Sequence, residues 1–316
     1  MDKIEKYREI NNSYKNKLVF HFGTGAGFYS ELNNMVLCML FCLKYKIRFI
    51  LYSKDAYFSN QNGITEFFPS FCNETTSAFH HKWNMRDIPF SYNHDFISKL
   101  KIKYALTRIY IYKMFVGNYL THDFFYEYRT FWFAAASFDI PELDILGDTQ
   151  KAAGQLINMI YKFNPTYNEG ICDLISTLKI PSIYAGLHIR GGDKIQERNL
   201  YSVDAYMEKL QKMSSIKDVF IMTDDYRLYE ELQFKYPKYR FYTLTAPWER
   251  GYDNSSFKGI DREKQKQNLI KMFASIELLR KSEIIVGTYS ANPGMFLGMV
   301  VPEKMHGIDF ENWQIL

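Results

Sequence analysis

The sequence predicts an α/β protein built of two Rossmann-like domains. Three observations lead there. Beyond residue 181 short apolar runs alternate with helix-length segments; residues 17–52 run strand, glycine-rich turn, helix, strand; and the 316 residues are 47% hydrophobic and 17% aromatic. That is enough chain and apolar surface for two cores.

In the first half, Lys17 to Phe22 (KLVFHF) reads as a strand, GTGAGFYSELNN as a turn opening a helix, and MVLCMLFCLKY as a buried helix. Lys46 to Tyr52 (KIRFILY) returns to a strand pattern, which closes a βαβ unit. From Ala56 to Asp148 the pattern is aromatic and irregular, apart from apolar residues at helical spacing over Phe96 to Tyr119. Helices follow over Thr149 to Phe163 and Tyr167 to Leu178, and Lys179 and Pro181 then break the pattern, so the domains are expected at 1–180 and 181–316. The second half reads as strands at Ser182–Ile189, Asp218–Met222, Arg240–Leu244 and Glu283–Gly287. Helices at Ser202–Met213, Tyr226–Tyr236, Arg262–Ser282 and Pro293–Val300 alternate with them.

Composition excludes several classes. Lys and Arg exceed Asp and Glu by only four, with no run of basic residues, so no nucleic-acid partner is expected. Cys38, Cys42, Cys72 and Cys172 form neither a CxxC pair nor a Cys/His cluster with zinc spacing. The segment MDKIEKYREINNSYKNK lacks the apolar stretch of a secretory signal, and no run is long enough to span a membrane. A cytoplasmic protein is expected, at most peripheral to a membrane.

Chemistry concentrates at strand ends, where open α/β sheets bind ligands. His188-Ile189-Arg190-Gly191-Gly192-Asp193-Lys194 follows a strand. Its glycines permit close backbone approach, Arg190 offers a bidentate contact to phosphate, and Lys194 adds a point charge; a surface turn with an ion pair is the plainer alternative. Thr223-Asp224-Asp225 reads either as a helix N-cap, the commoner use of such a triplet, or as paired carboxylates for Mn²⁺ or Mg²⁺. Gly287 to Gly294, with Ser290, Ala291 and Asn292, again runs from a strand into a helix whose amino terminus favours an anion. The loop Gly23-Thr24-Gly25-Ala26-Gly27 suits a phosphate cradle through Gly25 and Gly27, or merely a tight turn. No pairing among His21, His80, His81, His94, His122 and His306 demands catalysis.

Together these segments resemble the fucosyltransferase superfamily, in particular the α-1,6-fucosyltransferases and their bacterial nodulation relatives. Residues 182–194 resemble the H-x-R-x-x-D-K signature, Gly25 to Cys38 the glycine-rich loop and helix, Thr223 to Asp225 the T-D-D segment, and Ile284 to Asn292 the V-x-T-x-S-S-Q segment. The resemblance implies a GT-B-like enzyme, two Rossmann-like domains with a cleft between them, the donor on residues 181–316 and the acceptor side on 1–180. It implies inverting transfer of fucose from GDP-fucose to a glycan hydroxyl, with no metal and no cofactor besides the donor. Arg190 would hold the β-phosphate, His188 would approach the base, and Asp193 and Lys194 would order the loop and sugar. Asp224, Asp225 and Ser290 would line the donor site, and Glu197 would be the base, with Asp193 its nearest competitor. The chain departs from the family pattern in four places: Gly191 replaces a second arginine, Ser275 stands where an acidic residue meets guanine, Ala291 replaces a serine, and Glu197 falls one position early. These departures leave open another nucleotide sugar, or a glycan- or nucleotide-binding module without catalysis.

Overall fold

The computed structural model describes residues 2–23, 25–59, 62–87, 96–129, 136–191, 201–251 and 259–315. It divides into two compact units, Met1–Phe163 and Asn164–Leu316.

In the first unit helix α1 (Lys3–Ser13) precedes β1 (Asn16–His21), α2 (Phe28–Lys44) and β2 (Ile47–Tyr52). The βαβ expectation holds: β1 and β2 pair in parallel from Asn16↔Ile47 to His21↔Tyr52, and α2 is buried nearly all round, as befits a crossover helix inside a core. Helix α1 was not expected, because its polar sequence hides only Ile4, Tyr7 and Asn11. The Asn11 amide anchors it by donating to the Phe49 carbonyl at 2.9 Å and accepting from the Phe49 N–H at 2.7 Å.

The irregular aromatic stretch supplies β3 (Asn73–Glu74), α3 (Ala78–Trp83), α4 (Phe96–Val116) and β4 (Tyr119–Leu120). Helix α4 stops short of the expected Tyr119 because Gly117, at φ 70°, returns its N–H to the Lys113 carbonyl at 2.8 Å. An antiparallel hairpin, β5 (Ser137–Ile140) and β6 (Ile145–Asp148), leads to α5 (Thr149–Ile160), capped by the Asp148 side chain. The main sheet runs β3-β2-β1-β4, all parallel.

The second unit contains α6 (Pro165–Ser176), β7 (Ala185–Ile189), α7 (Val203–Met213), β8 (Asp218–Thr223), α8 (Tyr226–Lys235) and β9 (Arg240–Thr243). It ends with α9 (Arg262–Lys281), β10 (Ile284–Gly287), α10 (Asn292–Val300) and a short β11 (Met305–Gly307). Its five parallel strands are ordered β11-β10-β7-β8-β9. Alternation along β7 sets two faces. Ala185, Leu187 and Ile189 enter the core with Val203, Tyr206, Met207 and Leu210 of α7, whereas Gly186 admits α9 so closely that a Cβ would lie 2.6 Å from Leu279 Cδ2.

Helix α6, expected in the first domain, falls in the second unit. Tyr167 packs edge-on to Phe273 of α9 at 6.4 Å, and Ile270 fills the space above Gly170. The break therefore follows Phe163 instead of residue 180. Among the described residues no helix is long and apolar enough to cross a membrane.

Candidate functional site

Strand order determines where the second unit can hold a ligand. From β7 the chain moves outward through β8 and β9, then returns to the other side of β7 as β10 and β11, so the winding reverses between β7 and β10. Loops diverge at such a point and leave a crevice at the strands' carboxyl ends. The register pairs Leu187 with Val286 and Ile189 with Thr223, so three strands end nearly level. His188, Arg190, Thr223, Asp224, Asp225, Ser290, Ala291 and Asn292 are thereby brought to one edge.

The loops are tied together by specific bonds. The Gly191 N–H donates to Asp224 Oδ1 at 2.7 Å. A Cβ on Gly191 would lie 2.7 Å from Asp225 Cβ and 3.1 Å from Leu228 Cδ1, so the second arginine of the family signature has no room here. Asp225 caps α8, accepting from the Arg227 N–H at 3.0 Å, and both its oxygens face the Arg227 guanidinium. That hydrogen bonding, against the effect of burial, holds the Asp225 carboxyl below the usual carboxylate range. Capping and pairing account for both Asp225 oxygens, which favours the N-cap reading of the triplet. Thr223 Oγ1 accepts from the Asp225 N–H at 3.2 Å.

The Gly287–Gly294 segment is held by a residue the sequence reading missed. Asp309 accepts from the N–H groups of Tyr289 at 2.9 Å, Ser290 at 2.8 Å and Phe310 at 3.0 Å. Ser290, expected to line the donor site, thus has its backbone N–H, like that of Tyr289, on a carboxylate of the chain itself. Asp309 lies past the last recognisable motif, so only the fold reveals it. At Gly294 a Cβ would fall 1.9 Å from the Thr288 carbonyl oxygen, so a side chain there would drive helix and loop apart.

His188 is buried beneath these loops, and Cβ atoms built on Gly287 and Gly294 would each come 3.5 Å from its Nδ1. Burial, reinforced by the Arg190 charge and opposed by Asp224 and Asp309, pushes its pKa down to about 4, which keeps the ring neutral. Its Nδ1 has no hydrogen-bond partner among the described residues. Tyr206 of α7, also missed in the sequence, is buried with its hydroxyl hydrogen-bonded by the Arg190 backbone. Burial, then the charge of Asp309, raises that phenol well above its ordinary pKa. Ser275, at the expected guanine-reading position, donates to the Lys271 carbonyl of its own helix at 2.8 Å, and Glu277 pairs with Arg280 at 2.7 Å. Gly192, Asp193, Lys194 and Glu197 lie outside the described residues. Among those described, no group of three or more His, Cys, Asp or Glu side chains could hold a metal ion.

In the first unit the glycine-rich loop already has a hydrogen-bond acceptor of its own. Glu31, buried in α2, accepts from the Gly23 N–H at 3.1 Å and the Ala26 N–H at 3.2 Å, with Gly25 contributing a third backbone bond. Burial raises the Glu31 pKa, and the three backbone bonds partly oppose it. The cradle expected to use Gly25 and Gly27 is thus closed by the Glu31 carboxyl group, with Gly27 as N-cap of α2. His21, Glu31, Asn34, Arg86, Thr121 and Phe125 are among the residues lining a small pocket beside it. The pocket stands where the winding reverses between β1 and β4.

Two histidines do pair there, across distances no sequence spacing could signal. Asp55 bridges buried His21 Nε2 at 2.9 Å and exposed His81 Nδ1 at 2.5 Å. Burial works against the Asp55 carboxylate, but the two imidazole bonds outweigh it and keep its pKa below the ordinary value. Asn84 ties the same region together. Its carbonyl meets His21 Nδ1 at 2.8 Å, its Oδ1 accepts from the Thr121 N–H at 2.8 Å, and its Nδ2 donates to the Val19 carbonyl at 2.8 Å and to His80 Nδ1 at 3.1 Å.

Comparison with known proteins agrees with this geometry. Residues 151–293 match the family model described as the α-(1,6)-fucosyltransferase N- and catalytic domains, a span that includes Arg190, Thr223–Asp225 and Ser290–Asn292. No curated protein sequence matches the chain. Among solved structures, NodZ α-1,6-fucosyltransferase soaked with GDP-fucose is similar with a TM-score of 0.53 at 12% identity, over 91% of this chain and 94% of that one. Fucosyltransferase NodZ from Bradyrhizobium gives 0.51 at 12% identity, over 91% and 94%. Arabidopsis thaliana FUT1 in complex with GDP gives 0.50 at 9% identity, over 94% and 71%. At such identities these likenesses establish the fold, which is the expected α/β, GT-B-like one. The family match lies in the half of the chain that contains the strand-end motifs, and the fold is that of the fucosyltransferases those motifs resemble.

Proposed function

We propose that this chain is a glycosyltransferase of the fucosyltransferase superfamily that moves fucose from GDP-fucose to a hydroxyl of a glycan acceptor, inverting the anomeric centre. The observation that carries the reading is the convergence of three parallel strand ends on Arg190, inside the segment that matches the family's catalytic domain. Departure of a nucleoside diphosphate leaves charge on the β-phosphate, and a guanidinium held at a strand end can meet it with two parallel hydrogen bonds. Lys194 would add a second positive charge. The acceptor hydroxyl must lose its proton as the new bond forms, a step assigned by resemblance to Glu197, with Asp193 ordering the donor loop. No metal or organic cofactor enters this scheme, because the arginine supplies the charge that a metal would otherwise bring.

The deciding experiment measures nucleotide release from a panel of nucleotide sugars, with and without glycan acceptors, in EDTA and in Mn²⁺. Turnover of GDP-fucose that survives EDTA is expected. GDP-fucose at 100 times its Kd should also add about 2.7 kcal/mol to stability. The inward-turned Ser275 hydroxyl favours a second reading, a donor with a different base, and preferential turnover of a uridine-linked sugar would select it. Donor binding without any release would make the chain a binding module, and full loss in EDTA restored by Mn²⁺ would put a metal in the mechanism.

The base is tested separately. Glu197→Gln should keep the donor Kd, since the amide fills the same space, and lower kcat by roughly 100-fold or more. Asp193→Asn should act mainly on donor affinity. Calorimetry beside turnover separates the two, and near-parental kcat in Glu197→Gln would move the base elsewhere.

A further inference from the structure

The surface of α4 has no counterpart in the transfer reaction. Along its 21 residues only Ser98, Ala105 and Ile109 are buried, one narrow stripe at seven- and four-residue spacing. Tyr112 adds an anchor by stacking on Phe79 of α3 with ring centroids 3.8 Å apart. Outside that stripe the helix displays Phe96, Leu100, Tyr104, Tyr110, Met114 and Phe115 to solvent, with Phe96 and Phe115 exposed by 75% and 79%. A contiguous apolar surface of this size on a soluble domain marks something that covers it.

Charge tells which covering fits. Residues 96–116 contain Lys99, Lys101, Lys103, Arg108 and Lys113 and no acidic residue, and Lys113 pairs with the Asp123 carboxylate. A second copy of the chain docked on α4 would bring the same cations against these, an arrangement that like charges oppose. A sugar ring would use the aromatic faces but not the aliphatic Leu100 and Met114. The five charges also keep the helix from crossing a bilayer. An apolar helix that is basic and free of acid suits the interface of an anionic membrane, with rings and aliphatic chains at the acyl boundary and Lys and Arg among the headgroups.

We propose that α4 is a membrane-docking helix that seats the first unit on anionic lipid. The inference goes beyond sugar transfer and stands whether or not the donor assignment does. Aromatic rings and lysine stems lie flat at such an interface, so the helix would rest parallel to the surface.

The test is co-sedimentation of the full chain with vesicles of phosphatidylcholine alone or mixed with phosphatidylglycerol. Binding at least ~10-fold tighter to the anionic vesicles is expected, weakening as salt rises. Leu100→Glu with Tyr110→Glu should abolish it. Lys99→Gln with Lys103→Gln and Arg108→Gln should remove the preference for phosphatidylglycerol. These side chains are exposed, so thermal transition and nucleotide release should stay at parental values in both variants. Equal binding to the two vesicle types by the parent, or undiminished binding by folded variants, overturns the proposal. So does a concentration-dependent dimer, seen by light scattering without vesicles and lost in Leu100→Glu with Tyr110→Glu, which would make a second copy the occupant.

Discussion

Arg190→Lys is expected to lower sugar transfer at least ~100-fold, the scale of removing one preorganised donor from a developing charge. Lysine keeps the charge but loses the planar fork, so it meets the departing diphosphate as a point and not as a bidentate clamp. The loss should appear in kcat, because the charge on the leaving group is largest in the transition state. Stability should change little. Arg190 follows β7 instead of lying within it, and its backbone bond to Tyr206 does not depend on the side chain. The measurement is kcat and donor Kd beside a thermal melt, and a folded variant turning over at close to the parent rate removes Arg190 from the mechanism.

Asn84→Ala is expected to cost stability more than any surface change. One buried amide serves the Thr121 N–H, the Val19 carbonyl and His80 Nδ1, and alanine leaves all three in the interior without it. At 1–3 kcal/mol for each orphaned group, partly compensated by relaxation, the loss should be about 3–5 kcal/mol. A domain of this size moves by roughly 2–4 °C per kcal/mol, so the midpoint should fall by roughly 6–20 °C. A fall of less than a few degrees would mean that water replaces the amide.

The same cluster makes the protein sensitive to acid. Burial, with His21 nearby, lowers the His80 pKa to about 4, and burial does the same at His188. Between the ordinary histidine value and that figure the unfolded chain binds protons that the folded one refuses, so stability rises with pH. It is complete above about pH 6.5 and drains away as pH falls toward 4. Protonated His80 would also point an N–H at the Asn84 amide donor. Melts from pH 7 to 4.5 check the sign, and a midpoint independent of pH would contradict it.

The second unit was readable because its strands are short apolar runs separated by amphipathic helices. SIYAGLHI and DVFIM contain β7 and β8 within a few residues. The first unit was readable only through β2. Strands of two residues such as β3 and β4 carry no periodicity, and a hairpin like β5–β6 shows in pairing more than in composition. Helix α6 was recognised as a helix but assigned to the wrong half, since a helix does not announce which core it joins. The motif residues His188, Arg190, Asp224 and Ser290 share one edge as expected, because motifs lie at strand ends. The groups that support them, Asp309 and Tyr206, and Glu31 in the other unit, do so through tertiary bonds that spacing cannot encode.

The strand order of the second unit has a consequence during synthesis. Strand β7 is the centre of its sheet, yet it leaves the ribosome before either neighbour exists. Strand β8 can cover one edge after a single crossover helix, whereas β10 pairs Ile284 with Ala185, about a hundred residues downstream, or roughly 5–20 s at ordinary elongation rates. For that interval a strand whose every residue is buried in the finished fold presents an unpaired edge, the kind of template on which nascent chains aggregate. Recombinant yield should therefore depend on chaperone supply and growth temperature more than on the stability of the finished protein.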